Sequence, residues 1–128
     1  MPPKPSNAVI EVSRYSGVNA ATPIGNVASA NTKGVNGTCS GGVDSAAYSL
    51  NLTTTANSVA YGGVAMRNRS HTPGSGYTER AEVMQGSSGE AAGAAVEDRK
   101  VTTPGTVVVN GTFSGTVDWA VVAVELRP

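Results

Sequence analysis

Few residues in this chain could do chemistry, and their spacing limits what that chemistry could be. His71 is the only histidine and Cys39 the only cysteine. A Ser-His-Asp triad would have to use His71, which sits in a polar loop with no Gly-x-Ser-x-Gly turn to present a nucleophile. One His and one Cys separated by a strand pair lack the ligand spacing of a zinc site. An exposed loop position is therefore expected for His71. With a single cysteine no intrachain disulfide can form, and an interchain bridge is the only one open to Cys39.

The carboxylates fall into two close groups, Glu79 with Glu82 and Glu97 with Asp98. Adjacent strand residues point to opposite faces, and Glu79 and Glu82 also differ in parity, so neither pair suits a glycosidase dyad or a joint grip on a cation. Their expected partners are the neighbouring cations Arg67, Arg69, Arg80, Arg99 and Lys100, in surface ion pairs. No cofactor is expected; a calcium ion on loop carbonyls with Asp44 or Asp98 is the one alternative the residue types leave open. Asn-x-Ser/Thr acceptor patterns begin at Asn36, Asn51, Asn68 and Asn110, and in a chain rich in Asn, Ser and Thr such patterns arise freely by chance. Sugar stacking needs an exposed aromatic ring. Tyr77, beside Gly76, is the candidate ligand contact, while Tyr48, Tyr61, Phe113 and Trp119 read as core.

These residues must be carried by strands. The organising stretch is Asp118-Trp119-Ala120-Val121-Val122-Ala123-Val124-Glu125-Leu126, which has no polar residue from Trp119 to Val124. On a strand that pattern means both faces are covered, and the run is far short of the roughly 20 apolar residues of a membrane helix. Trp119 is the expected core anchor of a central strand. Residues 44–54 alternate cleanly, with Ala46, Tyr48, Leu50 and Leu52 on one face. The turn at Thr55-Ala56-Asn57 leads into residues 58–67 as a hairpin partner, where Gly62-Gly63 marks a bulge or a close backbone approach. Residues 68–76 form a polar loop, and strands resume at 77–84 and 91–100. Asn110-Gly111 could split residues 106–114 into a hairpin. The shared parity of Val107, Val109, Gly111 and Phe113 favours one strand, pairing with the Trp119 strand.

Near the N-terminus, residues 8–15 read as a strand with Ile10 and Val12 on one face and Glu11 and Ser13 on the other. Residues 18–43 read as a long loop with at most a short strand near residues 25–30. Residues 1–7 form a proline-rich arm, stiffened by Pro2, Pro3 and Pro5 and followed by Ser6 and Asn7. They lack the apolar segment of a signal peptide. The expected architecture is an all-β, antiparallel β-sandwich of jelly-roll type with about seven or eight strands. The arm precedes a single domain over residues 8–128.

Composition bounds the partners. Nine basic residues balance nine acidic ones and only 14% of the chain is charged, so no long-range field favours nucleic acid. No membrane insertion is expected. A neutral surface of Ser, Thr, Asn, Gly and Ala tolerates close packing against copies of itself.

Three patterns occur in order: Ser13-Arg14-Tyr15-Ser16-Gly17-Val18 with Thr22-Pro23-Ile24, then Thr72-Pro73-Gly74-Ser75-Gly76-Tyr77-Thr78-Glu79-Arg80, then the Trp119 stretch. Together they resemble a jelly-roll, LamG-like β-sandwich module of bacterial secreted proteins and phage structural proteins. The resemblance implies a non-catalytic structural or adhesive role at a virion, extracellular or cell-surface location. Longer relatives carry further strands ahead of the stretch that begins at Ala8, which implies a sheet edge open to another chain. The expected function is thus a non-enzymatic structural protein that assembles with copies of itself or decorates a larger assembly, as a phage virion component or an extracellular filament. The alternative is a carbohydrate-binding module using Tyr77.

Overall fold

From residue 44 onward, where the sequence alternates it forms strands, and burial follows the alternation. In the computed structural model, which describes residues 3–37 and 42–128, these strands make an antiparallel β-sandwich. The described residues form β1 (Ile24–Asn31), β2 (Gly34–Val35), β3 (Ser45–Thr54), β4 (Ser58–Met66), β5 (His71–Pro73), β6 (Thr78–Gln85), β7 (Ala92–Val101), β8 (Gly105–Val117) and β9 (Ala120–Leu126). One sheet has the order β2-β1-β9-β4-β7-β6 and the other β3-β8-β5. Cys39 and Pro2 lie outside the described residues.

The core is asymmetric. The three-stranded sheet turns Tyr48, Leu50, Leu52, Val109, Phe113 and Val117 inward, all buried, while the six-stranded sheet contributes many small residues, among them Ala60, Ala95 and Ala123. Small against large lets the layers approach and interdigitate. Gly62 shows how closely: a Cβ there would lie 2.8 Å from Val109 Cγ1. The ladders of β4 to β7 and β9 keep their register through Gly62 and Gly63, so these glycines serve close approach rather than a bulge.

Several connections differ from the sequence expectation. The turn at residues 55–57 does not close a hairpin; β3 and β4 belong to opposite sheets and face each other across the core. Each strand buries alternate residues, and alternation is the same whether the partner lies beside a strand or across from it. For the same reason β8 does not pair with β9. As expected, β8 runs unbroken through Asn110-Gly111, but it continues to Val117 and pairs with β3 and β5, whereas β9 lies between β1 and β4.

β9 is central, yet only one of its faces is fully covered. Val121, Ala123 and Glu125 are buried, but Val122 is 47% exposed, and Trp119 precedes the strand instead of beginning it. The short strand allowed near residues 25–30 is β1, which forms a ladder with β9 from Ile24 to Asn31 and turns back as β2, the part not expected. Its Gly, Asn, Ser and Ala leave almost no hydrophobic alternation to read; the ladder with β9 makes it a strand. The loop of residues 68–76 likewise contains β5. Residues 8–15, by contrast, form no strand.

Candidate functional site

The chemistry-bearing residues separate into a buried network between the sheets and a strap across the outside of the larger one. Both depend on features of β6 and β7.

A β-bulge between Glu79 and Ala81 inserts Arg80 as an extra residue opposite β7, which reverses parity beyond it. Glu79 and Glu82 therefore share the face that meets β5, correcting the expectation of opposite faces. Glu79 Oε2 lies 2.6 Å from His71 Nδ1, and Glu82 accepts the His71 backbone N–H at 2.9 Å. His71 is 6% exposed, not an open loop residue. Its Nε2 lies 3.0 Å from the Tyr48 hydroxyl, which also donates to Glu97 at 3.1 Å, and Glu97 accepts the Gly74 N–H at 3.1 Å. Gly111 makes the room, because a Cβ there would sit 2.6 Å from His71 Nε2 and 2.8 Å from the Tyr48 hydroxyl. Burial pushes the Glu97 carboxyl up from the ordinary carboxylate range, while the Gly74 and Tyr48 hydrogen bonds pull it back. Burial also raises Tyr48, with the adjoining Glu97 carboxylate adding to the shift. The polar atoms of the network satisfy one another and tie β6 and β7 of one sheet to β3 and β5 of the other.

Among the described residues, the surface ion pairs expected for these carboxylates reduce to one. Asp98, on the opposite face of β7 from Glu97, receives Arg80 Nε and Nη2 at 2.8–3.0 Å. Tyr77 is also not where a ligand could stack on it. The residue is 8% exposed, its hydroxyl donates to the Val108 carbonyl at 3.0 Å, and the Arg99 guanidinium lies 5.6 Å from the ring centroid. Burial pushes its hydroxyl up to about 12, with Arg99 opposing and Glu97 adding to the rise. Asp44 and Asp98, the calcium candidates, line separate grooves, and the described residues hold no cluster of three or more His, Cys, Asp or Glu suited to a metal.

The strap, residues 7–19, runs along the outer face of the six-stranded sheet, over the seam of β4 and β7. It is pinned at intervals: Asn7 Nδ2 donates to the Glu90 carbonyl at 2.8 Å, Ser13 meets the Tyr61 hydroxyl at 3.3 Å, Tyr15 donates to Asp98 at 2.6 Å, and the Asn19 N–H donates to the Arg127 carbonyl at 2.9 Å. Tyr15 also packs edge-on against Tyr61, with ring centroids 6.1 Å apart. Tyr61, expected in the core, is thus half-buried beneath the strap instead. Of the arm residues, Pro3, Pro5 and Ser6 are exposed and Asn7 supplies the anchor.

The strap sits in the reverse of the orientation its apolar residues predict. Ile10 and Val12 are 85% and 86% exposed, while Glu11 turns inward over Gly63, Ala94 and Val96. Neither carboxylate oxygen of Glu11 meets a hydrogen-bond partner among the described residues. The reason is parity: Ser13 and Tyr15, which own the polar anchors, share it with Glu11. Burial raises the Glu11 carboxyl, helped by Glu79 and Glu82 and opposed by His71; Arg14, Arg80 and Asp98 line the same groove. A carboxyl raised by docking favours docking while it is neutral. The strap should thus be held best below the ordinary carboxylate range and loosen as pH rises through the raised Glu11 value. Hydrogen-exchange protection across residues 7–19, measured relative to the intrinsic exchange rate at each pH, should follow that course, and Glu11→Gln should flatten it; wild-type protection that does not change with pH would refute it.

Sequence reasoning passed over a further buried carboxylate. Glu125, 0% exposed on the inward face of β9, accepts the Asn26 N–H at 2.9 Å, Asn26 Nδ2 at 3.2 Å, and both the Thr55 N–H and hydroxyl at 2.6 Å, with Arg127 Nε 3.6 Å away. Its signal was present: Glu125 shares parity with Val121 and Ala123, so a strand covered on that face must bury it. Comparison with known proteins adds no relative to reason from, since no family model, curated protein or solved structure matches the chain.

Proposed function

We propose that this is a non-enzymatic structural protein that assembles with copies of itself or decorates a larger assembly, as a phage virion component or an extracellular filament. The observation that carries this reading is the strap. It presents Ile10 and Val12 to solvent beside an outer sheet face where Val122 is 47% and Val27 58% exposed. A sheet face that meets only water normally alternates to polar residues, and contiguous exposed apolar surface marks a contact. Zero formal net charge removes the repulsion that keeps copies of many soluble proteins apart. The carbohydrate-binding reading leaned on Tyr77, and its burial withdraws that support. Size-exclusion chromatography with light scattering over rising concentration tests the proposal: species larger than the 12.8 kDa chain are expected, and a clean monomer throughout would overturn it.

The arm gives a second test. Pro3, Pro5 and Ser6 are exposed, and prolines lose little entropy on docking. Deleting residues 1–7 should leave the circular dichroism spectrum intact but weaken assembly seen by electron microscopy. Unchanged particles would remove the arm from the contact.

A further inference from the structure

We propose that the buried network of Glu79, His71, Tyr48 and Glu97 is a pH-sensitive clamp between the two sheets, which holds at neutral pH one proton more than its four groups bind when they are separated in water.

The proton count follows from the contacts. Three gaps join the four groups: Glu79 Oε2 to His71 Nδ1 at 2.6 Å, His71 Nε2 to the Tyr48 hydroxyl at 3.0 Å, and that hydroxyl to Glu97 Oε1 at 3.1 Å. Each gap lies at hydrogen-bond distance and needs one proton. In water at pH 7 both carboxyl groups are ionised and the imidazole is mostly neutral, so the set carries two protons, one on the tyrosine and one on the histidine. Three bonds cannot be made from two protons. Nor can solvent bridge an empty gap, because Tyr48, His71 and Glu97 are 3%, 6% and 1% exposed. A gap without its proton would set two acceptors against each other in the core, where an unsatisfied polar group is most costly.

The surroundings favour the extra proton. Glu82 accepts the His71 backbone N–H from β6, and Glu11 of the strap feels His71 as well as both β6 carboxylates. Four carboxyl groups thus gather about one imidazole, and among the described residues no Lys or Arg is bonded to any of them. Tyr77, the other titratable group beside Tyr48, donates its hydroxyl proton to the Val108 carbonyl, and Arg99 lies over its ring. Burial pushes the Glu97 carboxyl up, which acts in the same direction. The proton belongs to the network as a unit and titrates as one. A proton taken up on folding stabilises fully below the ordinary histidine value of about 6.5, and less as pH rises, until the folded network releases it. Release empties one bond of the clamp and weakens the hold of β6 and β7 on β3 and β5.

Urea denaturation of the full chain from pH 7 to pH 9 tests this against Glu97→Gln. The amide supplies the third proton covalently: its nitrogen donates to Tyr48 while its oxygen still accepts the Gly74 N–H, leaving Tyr48 to donate to His71 and His71 to Glu79. Relative to this variant, the wild-type folding constant should fall about tenfold per pH unit while the clamp keeps its proton. Glu79→Gln supplies the proton from the other end, where the side chain is 27% exposed, and should flatten the decline in the same way. Unfolding wild type at pH 8 should itself release about one proton to a pH indicator, a readout that needs no variant. Equal slopes in wild type and both variants, or no proton released, would overturn the proposal.

Discussion

Replacing Trp119 by alanine is expected to cost about 3–5 kcal/mol through lost burial and the cavity left behind. The indole is 9% exposed, lies 5.8 Å from the Tyr48 ring by centroid, and donates its Nε1–H to Ser45 Oγ at 2.8 Å. Trp119 also holds the crossing from β8 to β9, where its carbonyl accepts the Thr32 N–H at 3.2 Å and Asp118 bonds the Thr32 hydroxyl. A small residue here opens the end of the sandwich where the chain changes sheets. Against a total stability of about 5–15 kcal/mol, the loss is a large share. Urea denaturation of both proteins measures it, and a change below about 1 kcal/mol would contradict the packing described.

Removing Glu125 should have a comparable effect for a different reason. Its carboxylate fastens β1, through Asn26, to the turn that carries the chain from β3 to β4, through Thr55. Burial alone would raise its pKa, but the Thr55 and Asn26 hydrogen bonds, with Arg127 nearby, bring it down to about 2. Glu125→Ala leaves those buried donors without an acceptor at about 1–3 kcal/mol each, so a total of about 3–5 kcal/mol is expected. The sign of the pH dependence follows. With the folded value below the unfolded one, the carboxylate's contribution is full above the ordinary range and is lost as pH falls from about 4.5 towards 2. Urea melts across that window should show wild type losing more stability than Glu125→Gln; parallel losses would assign the acid sensitivity elsewhere.

Local alternation made much of the fold legible. Tyr48, Leu50 and Leu52 identify β3 and its buried face without further help, and the parity from Val107 to Phe113 settles β8 as one strand against the Asn110-Gly111 turn signal. β7 was legible against the helical propensity of its alanines, because Gly93 and the surrounding strands outweigh it. β1 was legible only as a short strand allowed near residues 25–30, since a strand rich in Gly, Asn, Ser and Ala owes its ladder to β9 and shows little pattern of its own.

Composition by itself determined the neutral, weakly charged surface, and the residue inventory fixed His71 as the single histidine around which any acid-base network must form. Tertiary structure decided what surrounds it. One inserted residue, Arg80, turns Glu79 and Glu82 to the same face and encloses His71, and no sequence period announces a bulge. The strap was decided there too. Its alternation was visible, but the direction it faces depends on Asp98 and Tyr61, more than 40 residues away, which bind Tyr15 and Ser13 and so force Ile10 and Val12 outward. Side-chain period specifies that two faces differ; only the partner across the contact determines which of them is buried.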